Sequence, residues 1–292
     1  MTGPRPIRQS GAFVPGPGGP RFRLVSEPAQ APVIGTVVFV PAFAEEMNKS
    51  RRMVARLARL LAADGWLVVQ RDLLGCGDSA GDFADATWSS WLGDVEAELE
   101  QAPSGLPVWL WCHRAGALLA PPALATRPSV NLLLWQPVVS GAQHLQQFLR
   151  LHAGARIVSG ARAEGETTPA QALRSGQSVE VAGYVLTLAL TGGLEKAKFE
   201  VPDGHAGRVE ILETHLEADA ADLPPRVTML VDALVARGVP ARAQSVPGPA
   251  FWLTQEIEEC EALLAASVAA LRGEDARTAA HPTAEHPGDP RA

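Results

Sequence analysis

A chain of 292 residues, 47% of them hydrophobic, can bury a large core, and its length suits one α/β domain with an insertion better than two independent domains. The formal net charge of −7 argues against a nucleic-acid partner, because such binding is driven by basic clusters that neutralise phosphates. Cys76, Cys112 and Cys260 lie far apart with no C-x-x-C pair and an odd total, so neither a disulfide framework nor a zinc site is suggested; free thiols, no charged leader before an apolar run and no long apolar span predict a soluble, cytoplasmic protein.

After a Gly/Pro-rich start, residues 21–25 alternate as a half-buried strand does, and the continuous apolar run 36–40 predicts a strand buried on both faces. Met53, Val54, Leu57, Leu60 and Leu61 then recur at helical spacing, with Asn48 or Ser50 as the expected N-cap and Gly65 as the stop. A strand over 66–70, a helix over 88–99, a strand over 108–111, a helix over 115–125 and a strand over 131–135 continue the alternation. Strands alternating with helices across short turns predict a doubly wound, mostly parallel sheet with helices on both faces, whose ligand sites lie at the carboxyl ends of the strands.

Between 140 and 206 the rhythm weakens to short helical patterns at 143–151 and 168–173, which is expected of a cap or lid inserted into the core. The core is therefore expected over 1–139 and again over 207–272, with strands at 209–212 and 241–246 and helices at 227–236 and 254–271. The last of these carries Ile257, Cys260, Leu263, Leu264 and Val268 on its apolar face. Residues 273–292 are polar and Pro-rich, as a disordered tail is.

The most informative segment is Cys112-His113-Arg114-Ala115-Gly116, where an apolar strand runs into a small-residue helix. That is the strand, sharp turn and helix context of the G-x-S-x-G nucleophile elbow of an α/β-hydrolase, with Arg114 at the middle position. A guanidinium stays protonated and offers no lone pair, so Arg114 is neither nucleophile nor base. The histidine of a triad should follow the last strand, but residues 246–252 contain none, and His281 and His286 lie in the expected tail. Glu213, Thr214, His215, Glu217 and Asp219 follow Leu212, so an acid is available without a histidine to orient.

Other nucleophiles are weak candidates. Cys112 adjoins His113, but neighbours at a strand end project to opposite faces, and a small packed residue accounts for Cys112 equally well. Ser79, in the glycine-rich loop over 72–79, reads as architectural. Lys49, Arg51 and Arg52 fall in the expected first turn of a helix, where they oppose the macrodipole, and Glu45 and Glu46 lie just upstream to offset them. Glu45 or Glu46 is expected to pair with Arg114 across the site, unless these are merely solvated charges. Alternatively, Arg114 and the basic turn form a pocket for a carboxylate or phosphate. Gln136, at the end of a strand, and Trp252, where the catalytic histidine would stand, could line an apolar part of it, although most tryptophans read as core. No metal site and no cofactor is expected.

The segments PAFAEEMNKSRRM (41–53), RDLLGCGDSAGDFADATW (71–88), LLLWQPVVSG (132–141), VEVAGY (179–184) and GPAFWLTQEIE (248–258) resemble the second of two hydrolase-like families associated with exosortase A systems, bacterial loci that pair protein sorting with exopolysaccharide production. The resemblance implies an α/β-hydrolase fold and a hydrolase name, with arginine at the elbow; Cys112 and His113 stand where glycine and leucine are usual. It supplies no substrate and no catalytic residue. Two functions follow. One is a catalytically silent hydrolase fold that binds a small acyl or anionic ligand, or a protein partner in an exopolysaccharide pathway. The other is a hydrolase or acyltransferase acting on an ester, thioester or acylated sugar with non-standard groups. The absence of a placed histidine favours the first, because a base must reach the proton it takes.

Overall fold

The structure, a computed structural model, describes residues 5–158, 167–216 and 222–274. Eight strands form one sheet: β1 (Ile7–Val14), β2 (Arg21–Pro28), β3 (Gly35–Val40), β4 (Trp66–Arg71), β5 (Val108–His113), β6 (Asn131–Trp135), β9 (Val209–His215) and β10 (Ala241–Pro247). Their order is β1-β2-β4-β3-β5-β6-β9-β10; β2 runs antiparallel to both neighbours and all pairs from β4 to β10 are parallel. The chain leaves β3 toward β4 and then returns past β3 to β5. The sheet therefore has a topological switch point between β3 and β5, where the carboxyl ends of doubly wound sheets bind ligands.

Each face of the sheet is covered. Helices α1 (Glu45–Ala63) and α8 (Glu261–Arg272) bury Leu57, Leu61, Leu263 and Leu264 against Val37, Trp109, Trp111 and Trp135. Helices α2 (Trp88–Glu100), α3 (Ala120–Leu124) and α7 (Pro225–Ala236) cover the other face, which carries Val38, Val40, Leu110 and Cys112. The segment between β6 and β9 adds α4 (Gly141–Val158), α5 (Pro169–Arg174), the hairpin β7 (Val179–Val181) and β8 (Tyr184–Leu186), and α6 (Leu188–Lys196). Its Leu145, Phe148, Leu190 and Leu194 belong to this same apolar cluster.

Several expectations from sequence are corrected. Strand β1 has no apolar signal because it is an exposed edge, held by pairing with β2 alone. Neither Asn48 nor Ser50 caps α1: the helix starts at Glu45, so Glu45 and Glu46 occupy its first turn and complement the macrodipole, and Lys49, Arg51 and Arg52 fall beyond that turn. The helix expected over 115–125 is a 3-10 turn, Arg114–Leu119, followed by the short α3, because Pro121 and Pro122 lack the amide donors an α-helix through them would need. The last helix begins at Glu261 rather than 254. Glu259 is drawn away to Arg52 and Arg56 of α1, and Ile257, expected on the buried face, is 73% exposed. The hairpin β7–β8 and helix α6 escaped the periodicity argument because they are short. Of the tail expected over 273–292, Gly273, the left-handed C-cap of α8, and Glu274 are described; the rest lies outside the described residues. No described helix is long and apolar enough to cross a membrane.

A buried charge network joins β2 and β4 to α2. Asp94 accepts from Arg21 Nε at 2.8 Å and from the Leu74 backbone N–H at 2.9 Å, and Arg21 also donates to the carbonyls of Pro17 and Gly19. Glu98, one turn on, accepts from Arg23 at 2.8 Å and lies 2.8 Å from Arg71 Nε, poorly aligned there for a hydrogen bond. Arg21 is wholly buried, so removing its partner strands a desolvated cation. Asp94→Ala is expected to cost about 3–5 kcal/mol in denaturant unfolding, against less than about 1 kcal/mol for breaking the exposed Arg8–Glu27 pair by Glu27→Ala; comparable losses would show that burial does not set the difference.

Candidate functional site

Arg114 sits where β5 ends, at the switch point. Its φ of +51° lies in the left-handed region that side-chain-bearing residues avoid, so the sharp elbow is kept although its apex is an arginine. Gly116 is required there: a Cβ would lie 2.5 Å from the Pro41 carbonyl oxygen and 2.7 Å from that of Val40, so the turn presses directly on the loop after β3. Ala44, in that loop, and Gln136, at the end of β6, also have positive φ, of 52° and 48°. These three strained residues converge on one edge of the sheet.

The guanidinium is held on three sides. Nε and Nη2 of Arg114 donate to Glu46 Oε1 at 3.2 and 3.1 Å, and Nη1 donates to the Gln136 carbonyl at 3.3 Å. The Trp252 ring lies 5.4 Å from the guanidinium carbon, within cation–π range. Both partners of the ion pair are largely covered, at 18% and 14% side-chain exposure. The two donors share one oxygen of Glu46, and its other oxygen, Oε2, is buried with no hydrogen-bond partner. Burial raises the Glu46 carboxyl above its ordinary pKa, and Arg114 only partly opposes this.

The remaining expected site residues are placed as follows. Glu45 does not reach Arg114; it accepts from the Tyr184 hydroxyl at 3.2 Å, and that hydroxyl accepts from Asn48 Nδ2 at 2.6 Å, so the β7–β8 hairpin is tied to the start of α1. Lys49 turns away and donates to the Leu253 carbonyl at 3.4 Å. Gln136 stitches β6 to β9, its side-chain oxygen accepting from the Thr214 amide at 2.7 Å.

Cys112 and His113 face opposite layers. The Cys112 thiol lies in the apolar cluster with Val40 and Leu110, where burial raises its pKa far above the reactive range. His113 is fully buried, stacked on Phe251 with ring centroids 5.5 Å apart, and neither ring nitrogen has a partner. Burial holds it neutral, well below its ordinary pKa. Ser79 donates to the Asp72 carbonyl at 2.5 Å and accepts from the Phe22 amide at 2.9 Å, so it ties loop to strand. Glu213 is engaged by Arg226 at 2.7 Å, and His215 Nδ1 is buried without a partner. Glu217 and Asp219 lie outside the described residues. The loop after β10 brings Phe251 and Trp252 to the edge where a triad histidine would stand.

Two site residues were not foreseen. His144, near the start of α4, packs edge-on against Phe43 at 5.8 Å, and its Nε2 is buried without a partner. Tyr184 is the one tyrosine of the chain, a signal that could have drawn attention to it. Beside the elbow, Pro41, Phe43, Trp88, Trp91, Ala115, Gly116, Leu119 and Leu194 enclose an apolar cleft of about 10 Å3, room for a single water molecule.

His144 supplies a pH signature. Burial, reinforced by the Arg114 charge, lowers its pKa from 6.5 to about 4, so the unfolded chain binds a proton near pH 6.5 that the folded chain refuses until pH 4. Stability is therefore lost as pH falls through that interval. In denaturant titrations at pH 7 and pH 4, the wild type is expected to lose about 3 kcal/mol more than His144→Leu; equal losses would show that this imidazole is not held neutral.

No protein-family description and no curated protein matches this sequence. Solved structures match its fold. Est1E from Butyrivibrio proteoclasticus with bound ferulic acid superposes with a TM-score of 0.59 at 14% identity, over 90% of this chain and 98% of that one. A soluble variant of monoglyceride lipase from Saccharomyces cerevisiae, in complex with a substrate analogue, gives 0.58 at 12% identity over 90% and 93%. The thioesterase domain from the curacin biosynthetic pathway gives 0.52 at 16% identity over 90% and 99%. At such identities the likeness bears on architecture and not on chemistry.

Proposed function

We propose that this chain, an α/β-hydrolase fold, is catalytically silent as a hydrolase and binds a small anionic or acyl ligand at the elbow through Arg114. The observation that carries this reading is the strained elbow itself: a residue at φ +51°, where the fold places its nucleophile, is a cation held by Glu46, Gln136 and Trp252. A strained apex persists only where its surroundings over-determine it, which points to a retained binding role rather than a decayed loop.

The alternative, hydrolysis or acyl transfer on an ester, thioester or acylated sugar, needs a nucleophile within reach of a base. Cys112 is buried in the core with a raised thiol pKa, and Ser79 is bonded to backbone on both sides. The segment between β6 and β9 acts in this proposal as a cap over the strand ends, over 140–206. The resemblance of segments such as 41–53 to the exosortase-associated family supports a place in an exopolysaccharide locus, with a protein partner of that pathway as a further occupant of the cap.

Two measurements test the proposal together. A fluorophosphonate probe should leave the protein unlabelled, and nitrophenyl esters should turn over at the rate of buffer. Thermal stabilisation by small carboxylates, about 2.7 kcal/mol at a hundredfold excess over Kd, should disappear in Arg114→Ala. Ester turnover that is lost on Cys112→Ala or Ser79→Ala would overturn the reading.

A further inference from the structure

We infer that the ligand at Arg114 is a carboxylate bearing an apolar tail, and that Glu46 is a tethered carboxylate standing in its place until the ligand displaces it. This rests on the anion-binding reading above and names the ligand class that reading leaves open.

The head group follows from how Glu46 is held. An arginine and a carboxylate at their best meet fork to fork, each oxygen taking its own N–H. Here Nε and Nη2 converge on Oε1 alone, and Oε2 is buried with nothing to accept from. A buried polar atom without a partner is costly, so Glu46 fills the site imperfectly and a free carboxylate can use both of its oxygens. A carboxylate already desolvated against this guanidinium also shows which anion the geometry admits. His144 Nε2 is likewise buried and unpartnered, its ring packed edge-on against Phe43 of the cleft.

The tail follows from what adjoins the head. The apolar cleft begins at Ala115, the residue after Arg114, and at Phe43, three residues before Glu46. Its lining is mostly rings and aliphatic side chains, which favours an apolar tail over a second charged end. At about 10 Å3 the cleft is too small for a tail as it stands, and one fits only when lining residues such as Leu194 of α6 and Trp88, on which Gly193 packs, move apart. The segment carrying α6 is tied to the core side by Tyr184, through Glu45 and Asn48. Glu45 and Glu46 are adjacent in the first turn of α1, so releasing Glu46 from Arg114 and freeing the hairpin draw on the same turn.

The experiment is calorimetric titration of the full chain with acetate, hexanoate, octanoate, octanol and inorganic phosphate, repeated on Glu46→Gln, Arg114→Gln and Tyr184→Phe. Affinity should rise about fourfold per methylene from hexanoate to octanoate. Octanoate should bind Glu46→Gln at least tenfold more tightly than wild type, Arg114→Gln at least tenfold more weakly, and Tyr184→Phe more tightly. Octanol should bind far more weakly than octanoate. If acetate or phosphate binds Arg114 as tightly as octanoate does, the tailed-carboxylate class is overturned while the anion site stands. If octanol matches octanoate, the head-group assignment is overturned. Glu46→Gln that binds no better than wild type overturns the stand-in role. If none of the probes binds wild type or Glu46→Gln, the anion-binding reading falls as well. Should the Arg114 variant fail to fold, the comparison of wild type with Glu46→Gln decides alone.

Discussion

The ion pair between Arg114 and Glu46 is the interaction around which this edge of the molecule is organised. It joins the end of β5 to the first turn of α1, the helix that follows β3, beside the topological switch point at which doubly wound sheets bind ligands. The pair also lies over the seam between the two packed layers: Trp252 on one side belongs to the cluster covered by α1 and α8, and Phe43 on the other belongs to the cluster covered by α2 and α7. A permanent charge there must be satisfied, because a desolvated guanidinium costs several kcal/mol when unpaired, about 3–5 if a partner is removed.

The molecule contains a second buried charge cluster, and the contrast is instructive. Arg21, Arg23 and Arg71 meet Asp94 and Glu98, and the Asp94 carboxylate also takes a backbone amide, so that network reads as a fixed structural joint. At the elbow one glutamate oxygen receives two donors and the other none. A low-dielectric surrounding strengthens what is paired and penalises what is not, so Asp94, with both oxygens engaged, favours a single conformation, whereas Glu46, with one oxygen unpartnered, carries a local free-energy cost that an incoming group can relieve. Around it, backbone strain at Ala44, Arg114 and Gln136 is a further cost at the same place, supported by the sheet behind.

The segment between β6 and β9 takes part in this arrangement. Its hairpin turns tightly at Ala182 and Gly183, both with positive φ, and presents Tyr184 to Glu45 and Asn48. The same tyrosine packs edge-on against Phe83 at 5.0 Å, so an aromatic contact and hydrogen bonds hold one hairpin to the start of α1. One helical turn thus meets that segment through its first acidic residue and the elbow through its second.

The sequence by itself determined the alternation of strands and helices, the buried parallel strands, the turn with Arg114 at its apex and the lack of a histidine in the loop over 246–252, because periodicity, glycine spacing and residue chemistry are local properties. It also narrowed the partner of Arg114 to Glu45 or Glu46. Only the tertiary structure chose Glu46, since that choice depends on where α1 starts, and α1 starts at Glu45 after Ala44, whose methyl side chain offers no acceptor to cap it. His144 and Tyr184 reach this edge from elements far along the chain, and no local pattern marks contacts such as those of Tyr184 with Asn48 and Glu45, 136 and 139 residues apart in sequence. The burial that raises the Cys112 thiol, neutralises His113 and leaves an oxygen of Glu46 unpartnered is likewise a property of packing, which a sequence encodes only collectively.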